Sequence, residues 1–219
     1  MKKKKSLLTI EKAKNISGLH YTLNHTGKMK GMQSLSTSCV CNKFCQTYSK
    51  DTKRVCSKCY AQTQMKMYTN MQKCFERNTE ILTTSVIPKD KIPTLNCLYF
   101  RFEAFGDLNN DIQVVNYFNI CKKNKSVNFA LWTKNAFLID EVIKNGYKKP
   151  NNLQIILSSH YLNVQADDKY DFVDKIFTVY DKNFIEKNNI KINCGAKSCL
   201  ECHKCYTKSK TKIINERLK

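Results

Sequence analysis

The sequence predicts a mixed α/β fold, a partial (β/α) barrel in a single domain over residues 1–219, with cysteine-rich segments at its N- and C-terminal sides. Three observations predict it. Short runs of β-branched and aromatic residues recur through the middle of the chain, amphipathic segments long enough for helices separate them, and most cysteines gather outside this alternation. The strand candidates start at residues 97, 127, 153 and 175, so the gaps of 30, 26 and 22 residues accommodate helical crossovers and hence parallel pairing. A complete eightfold barrel typically takes ~250 residues, so 219 residues favour an open, partial one. Three prolines and six glycines leave no linker at which to divide the chain.

The opening "MKKKKSLLTI" has a basic start and only a short apolar run, followed by Glu11, Lys12 and Lys14, so it lacks the core of a signal peptide. No segment approaches membrane-spanning length, and a soluble protein of the reducing cytoplasm is expected. From Tyr60, "YAQTQMKMYTNMQKCFERNTEIL" has neither Gly nor Pro and predicts one long helix with Met67, Met71, Cys74 and Phe75 on its inner side.

"CLYFRFE", Cys97 to Glu103, is the first clear strand candidate, and "VNFALWT", "LQIILSS" and "KIFTVY" follow it. Between the first two, Ile112, Val115, Phe118 and Ile120 make a helix stripe with Asn or Asp available as its N-cap. Between the next two, Phe137, Leu138, Val142 and Ile143 repeat the pattern, and Gly146 supplies a C-terminal stop.

Thirty-eight Lys plus Arg against eighteen Asp plus Glu give a formal charge of +20, which attracts polyanions. Nucleic acid or an acidic protein is the partner class this charge suggests; a solvated lysine surface explains the same composition. Arg54, Arg77, Arg101 and Arg217 are the only arginines, so bidentate base reading is scarce and backbone contact fits better.

Twelve cysteines in a chain of this size, clustered at metal-ligand spacings, point to metal rather than disulfides. The C-terminal segment, residues 194–205, carries Cys194, Cys199, Cys202 and Cys205 as C-x4-C-x2-C-x2-C. Two-residue gaps in succession suit thiolates wrapping one 4Fe-4S cluster, with a four-cysteine zinc site as the alternative and His203 as a neighbour.

The N-terminal segment, residues 39–59, offers Cys41, Cys45, Cys56 and Cys59, with Cys39 as the substitute ligand. It stands just before a predicted helix N-terminus, where backbone N–H groups face anionic thiolates. If only three cysteines bind, one iron is left open to a substrate or cofactor, by analogy with catalytic metal sites. Cys74, Cys97 and Cys121 are isolated and read as core residues, and His20 and His25 as loop residues.

At the end of the first strand, "RFEAFGDLN" delivers Arg101 and Glu103 before turning through Gly106 and Asp107. Polar groups at a strand's carboxyl end can face a site, while Asp107 could equally cap a helix. Trp132, Thr133 and Lys134 end the next strand, and Ser158, Ser159 and His160 the one after it, so all could rim one mouth.

Taken in order, "GKMKGMQSLSTSC", "CSKCYA", "RFEAFGDLN", "ALWTKN" and the C-terminal cysteine run resemble the signatures of the phage gene-product-88-like family, over most of the chain from about Asn24. That family is similar in its CYA-ending cysteine motif to proteins related to radical-S-adenosylmethionine enzymes. The resemblance implies a partial barrel with iron–sulfur chemistry, S-adenosylmethionine as a candidate cofactor, a reductase or other electron donor as partner, and the cytoplasm of an infected cell as location. It also favours Glu103 and Asp107 as cofactor-binding residues. The sequence departs from the contiguous C-x3-C-x2-C pattern, since Tyr48 stands where the third cysteine would be and Cys56 and Cys59 follow a loop.

The function expected is therefore an iron–sulfur protein with two 4Fe-4S clusters and a radical-S-adenosylmethionine-like redox activity. The alternative is a non-enzymatic phage protein, stabilised by iron–sulfur or zinc, that binds nucleic acid or an acidic protein.

Overall fold

Alternating buried strands and amphipathic helices assemble a seven-stranded sheet, which a computed structural model describes over residues 18–167 and 169–218. The basic opening read for a signal peptide, residues 1–10, lies outside the described residues. Two short strands, β1 (Thr22–Leu23) and β2 (Gln33–Leu35), pair antiparallel. Next come α1 (Lys43–Tyr48), a 3-10 turn at Val55–Lys58, α2 (Tyr60–Met67) and α3 (Thr69–Thr84). The repeating part is β3 (Tyr99–Phe102), α4 (Asp111–Lys123), β4 (Asn128–Thr133), α5 (Phe137–Lys144), β5 (Leu153–Ser158) and β6 (Lys175–Tyr180). The chain ends with α6 (Lys182–Asn188), α7 (Cys199–Cys202) and β7 (Ile213–Arg217).

The strands lie in sequential order, and every pairing from β2 to β7 is parallel. Strand β1 pairs with β2 and strand β7 with β6, so the sheet is open.

Register gives the sheet two unlike faces. Leu35, Phe102 and Leu131 align across β2, β3 and β4, and Phe100 aligns with Phe129 and Leu153. These side chains form the main core with Leu82 of α3, Val114, Tyr117, Phe118 and Cys121 of α4, and Ile139 and Val142 of α5. On the other face Ala130 and Ile156 pack with Met32 and Tyr206, flanked by Tyr99, Trp132, Phe177, Cys199 and Cys205. The C-terminal cysteine segment thus covers the face opposite the helices.

Local chemistry fixes the helix ends. Asn110 caps α4 by accepting from Gln113 N at 3.0 Å, Asp181 caps α6 by accepting from Phe184 N at 2.8 Å, and Gly146 at φ +89° follows α5. The single long helix expected from Tyr60 is two, because Tyr68 leaves helical geometry at φ −121°, ψ 84°. On a straight helix Met65 and Phe75, ten residues apart, would point ~80° away from each other. The break lets both pack around Cys39. Met67, expected on the inner side, is consequently 66% exposed, and Met65 is buried in its stead. Phe137 is likewise 57% exposed, since α5 turns Ile139 to the core.

Buried asparagines secure the connections under the sheet. Asn116 Nδ2 donates to Leu82 O and Ser85 O, at 2.9 and 3.0 Å, while its Oδ1 accepts from Ile87 N at 2.8 Å. Asn116→Ala strands three backbone groups, so an unfolding free energy lower by ~2–4 kcal/mol is expected in urea titrations.

Candidate functional site

Parallel strands bring their carboxyl ends to one edge of the sheet, and the chain leaves β2 there through Ser36, Thr37, Ser38 and Cys39, all buried. Buried polar partners satisfy this segment. Asn78 Nδ2 donates to Ser36 O at 2.9 Å, Ser38 N donates to Thr79 Oγ1 at 2.9 Å, and Ala104 N donates to Ser36 Oγ at 3.0 Å. Asn42 then caps α1, accepting from Cys45 N at 3.2 Å, and its Nδ2 donates to Asp107 O at 2.8 Å. The first cysteine segment is thereby attached to the turn after β3.

That turn is built on Glu103, 2% exposed and left-handed at φ +52°. Its carboxylate accepts from Thr37 N at 3.2 Å, Thr37 Oγ1 at 3.0 Å, Gln113 Nε2 at 2.7 Å and the Tyr117 hydroxyl. Burial pushes the Glu103 carboxyl up to about 7, against the hydrogen bonds from Tyr117 and Thr37 that favour the anion. Gly106 is required by crowding, since a β-carbon there would lie 2.5 Å from Glu103 Oε2 and 2.6 Å from Thr37 O. Asp107 is not the cap of α4. Its carboxylate reaches β4, accepting from Thr133 Oγ1 at 2.5 Å and Lys134 N at 2.9 Å, and from Leu108 N at 2.8 Å. Both carboxylates are buried and brace neighbouring strand ends through these bonds.

The N-terminal cysteines gather beside this knot. Cys39, 1% exposed, packs with Cys45, Cys59 and Cys74 around Ala61, Met65 and Phe75. Burial raises the Cys45 thiol, and Asp107, Cys59, Glu103 and Cys56 add to the rise. A hydrogen bond from Cys39 lowers Cys59, and the Gln62 and Ala61 backbone N–H groups at the start of α2 lower it further. Burial raises Cys56, while the Lys134 charge opposes it. Cys39, Cys45, Cys56 and Cys59 are therefore electrostatic neighbours. Cys41, which the spacing favoured over Cys39, is exposed and lies outside this packing cluster.

His160 closes the far side of the rim as a structural group. Arg54 Nη1 contacts its Nδ1 at 3.0 Å, and the Arg54 guanidinium stacks 4.1 Å over Tyr48. Burial first, then Arg54 and Lys134, bring the imidazole down to about 4. Arg54 also pairs with Asp51 at 2.9 Å, so the loop between the cysteine steps is tied to the end of β5.

The C-terminal set occupies the opposite face. Burial raises Cys194, Cys199 and Cys205, the last to about 12, and the mutual charges of the four cysteines contribute to each rise. Lys28 Nζ lies 3.9 Å from Cys194 Sγ and 2.8 Å from Glu216 Oε1. His203, at φ +37°, stacks on Tyr99 with centroids 5.6 Å apart.

Of the isolated cysteines, Cys121 is buried in the main core, Cys97 packs at its margin, and Cys74 borders the N-terminal set. His20 tilts against Phe75, and His25 is exposed. Sequence reasoning missed Thr37, Asn42, Gln113, Lys28 and Tyr206, of which only Tyr206 carried a signal, its position directly after Cys205. Among the described residues no group of three or more His, Cys, Asp or Glu side chains is set to hold a single metal ion. The thiols of each set are neighbours rather than a finished cage.

The knot generates two expectations. Gly106→Ala drives a methyl into a buried carboxylate and a backbone carbonyl, and ~1–3 kcal/mol of stability is lost in denaturant titrations. The folded Glu103 carboxyl, at about 7 against an ordinary 4.5, holds its proton longer than the unfolded chain does. Stability therefore falls as pH rises from 4.5 to about 7 by up to ~3 kcal/mol, and Glu103→Gln removes that component of the slope. Urea midpoints measured across the window for both proteins check it.

No protein-family profile, curated protein or solved structure matches this chain.

Proposed function

We propose that this chain is an iron–sulfur protein with one 4Fe-4S cluster at each cysteine set, the N-terminal one serving a redox reaction of the radical-S-adenosylmethionine type. One observation carries the reading: Cys39, Cys45 and Cys59 share one packing cluster at the carboxyl edge of a sequential parallel sheet, with Cys56 in the adjoining 3-10 turn, and folds of this kind bind ligands at that edge. The donor chemistry supports it, since soft thiolates select iron–sulfur clusters. A cluster there would supply one-electron transfer when bound.

The protein's own groups have defined tasks in this reading. Cys39, Cys45, Cys56 and Cys59 are the candidate ligands, with Cys41 outside. Glu103 and Asp107 brace the rim, the α2 N-terminus and Lys134 offset thiolate charge, and Glu103 holds a left-handed backbone of the strained kind that clusters at functional sites. The sheet is read as part of a barrel because its parallel strands run in sequential order and the main core lies on one face. The likeness to the phage gene-product-88-like family supports the same reading, with S-adenosylmethionine as cofactor and a reductase as donor.

The charge of +20 favours a second reading, a non-enzymatic protein held together by iron–sulfur or zinc that binds nucleic acid or an acidic protein.

Anaerobic purification tests the first reading. It should yield brown protein with absorption near ~400 nm and about eight iron atoms per chain. Cys59→Ser and Cys202→Ser should each remove about half of that iron, and Cys41→Ser none. Stoichiometric zinc with no iron defeats the proposal. Dithionite-reduced protein should cleave S-adenosylmethionine, and absence of cleavage with the N-terminal cluster filled leaves the binding reading, for which polyanion affinity must fall steeply with salt.

A further inference from the structure

We infer that Arg101 is the charge partner of the C-terminal cysteine set, its guanidinium donating to a sulfur of the cluster held there and raising the potential at which that cluster accepts an electron. This rests on the iron–sulfur reading above and adds to it a residue that tunes one centre.

Register directs Arg101 to the face that the C-terminal segment covers. It is flanked on β2 and β4 by Ser34 and Ala130, both small, so the long side chain has room. Its guanidinium lies 4.0 Å over the Trp132 ring, which fixes its plane. Trp132 in turn packs in one cluster with Tyr206, Cys199 and Cys205. The cation is thereby held at the apolar cluster that Cys199 and Cys205 also border.

The donor is unspent. Arg101 Nε is buried without a hydrogen-bond partner, and Nη1 lies 3.4 Å from Met29 Sδ, a weak acceptor. Among the described residues Arg101 makes no ion pair. A buried unpaired guanidinium N–H is costly unless an acceptor meets it, and thiolate or sulfide sulfur is the acceptor at hand. The Tyr206 hydroxyl beside it is also buried and without a partner.

Lys28 is the competing cation and is largely committed. Its ammonium pairs with Glu216 at 2.8 Å and donates to Cys194 O at 3.1 Å. Reduction adds one electron, supplied in the test by dithionite, to an already anionic centre. A nearby unneutralised cation and a hydrogen bond to sulfur both favour the reduced form.

The test uses the full chain carrying Cys56→Ser and Cys59→Ser, loaded anaerobically with iron and sulfide so that only the C-terminal set titrates. Arg101→Met should make the midpoint potential more negative by the equivalent of at least tenfold in the reduction equilibrium, ~59 mV for one electron. Iron content and urea midpoint should stay near those of the parent. Arg101→Lys should shift it less, and Lys28→Met less than Arg101→Met. An unmoved potential in loaded Arg101→Met, or in loaded Arg101→Gln if the Met variant takes up no iron, overturns the inference alone. A parent that binds no iron overturns both the inference and the reading beneath it.

Discussion

A carboxylate buried to 2% exposure organises the carboxyl edge of this sheet. Glu103 ends β3 in a left-handed turn and gathers donors from the segment after β2 and from two turns of α4. Burying such a group costs several kcal/mol unless hydrogen bonds replace its hydration. Thr37, Gln113 and Tyr117 replace it, and the chain can reach them only where Gly106 leaves space. Asp107 repeats the device one strand further on. The outcome is that the ends of β2, β3 and β4 are cross-braced by side chains, and the first cysteine segment hangs from that brace through Asn42.

The two cysteine sets stand in different electrostatic settings because the faces and edges of a parallel sheet are chemically unlike. At the edge, backbone N–H groups and Lys134 offset negative charge while buried carboxylates add to it. On the covered face the sulfurs lie among Trp132, Tyr99 and Tyr206, with cations from β3 and from the loop before β2 nearby. Apolar surroundings strengthen each remaining charge, so single basic residues count for more there than among the many lysines on the surface.

Much of the α/β pattern was legible, because strands β3 to β6 and helices α4 and α5 bury side chains at periods the sequence displays. Strands β1 and β2 hold two and three residues, too few for any period to show, and β7 reads "IINER", more polar than a buried strand. The break at Tyr68 carries no Gly or Pro. It follows from packing two helices around Cys39, a tertiary demand. The same demand separates Cys39 from Cys41: two residues apart, they have the same spacing logic, and Ala61 and Met65 of α2 with Phe75 of α3 bury the first while the second is exposed. The knot around Glu103 was out of reach for a similar reason, since Thr37 lies 66 residues away from it in the chain.

Strand β7 is the last rung of the sheet, and the chain reaches it only after passing through the C-terminal cysteines. Asn193 and Cys194 donate backbone bonds to Asn215, so the start of that passage is stitched to the strand that ends it. Loss of that stitch would weaken the hold on the rung, whose release uncovers the N–H and C=O groups of β6 that it now pairs. Exposed strands of that kind recruit other chains. Closure of the sheet at this margin therefore hangs on a short backbone anchor at the entrance to the cysteine run as well as on the packing of its interior.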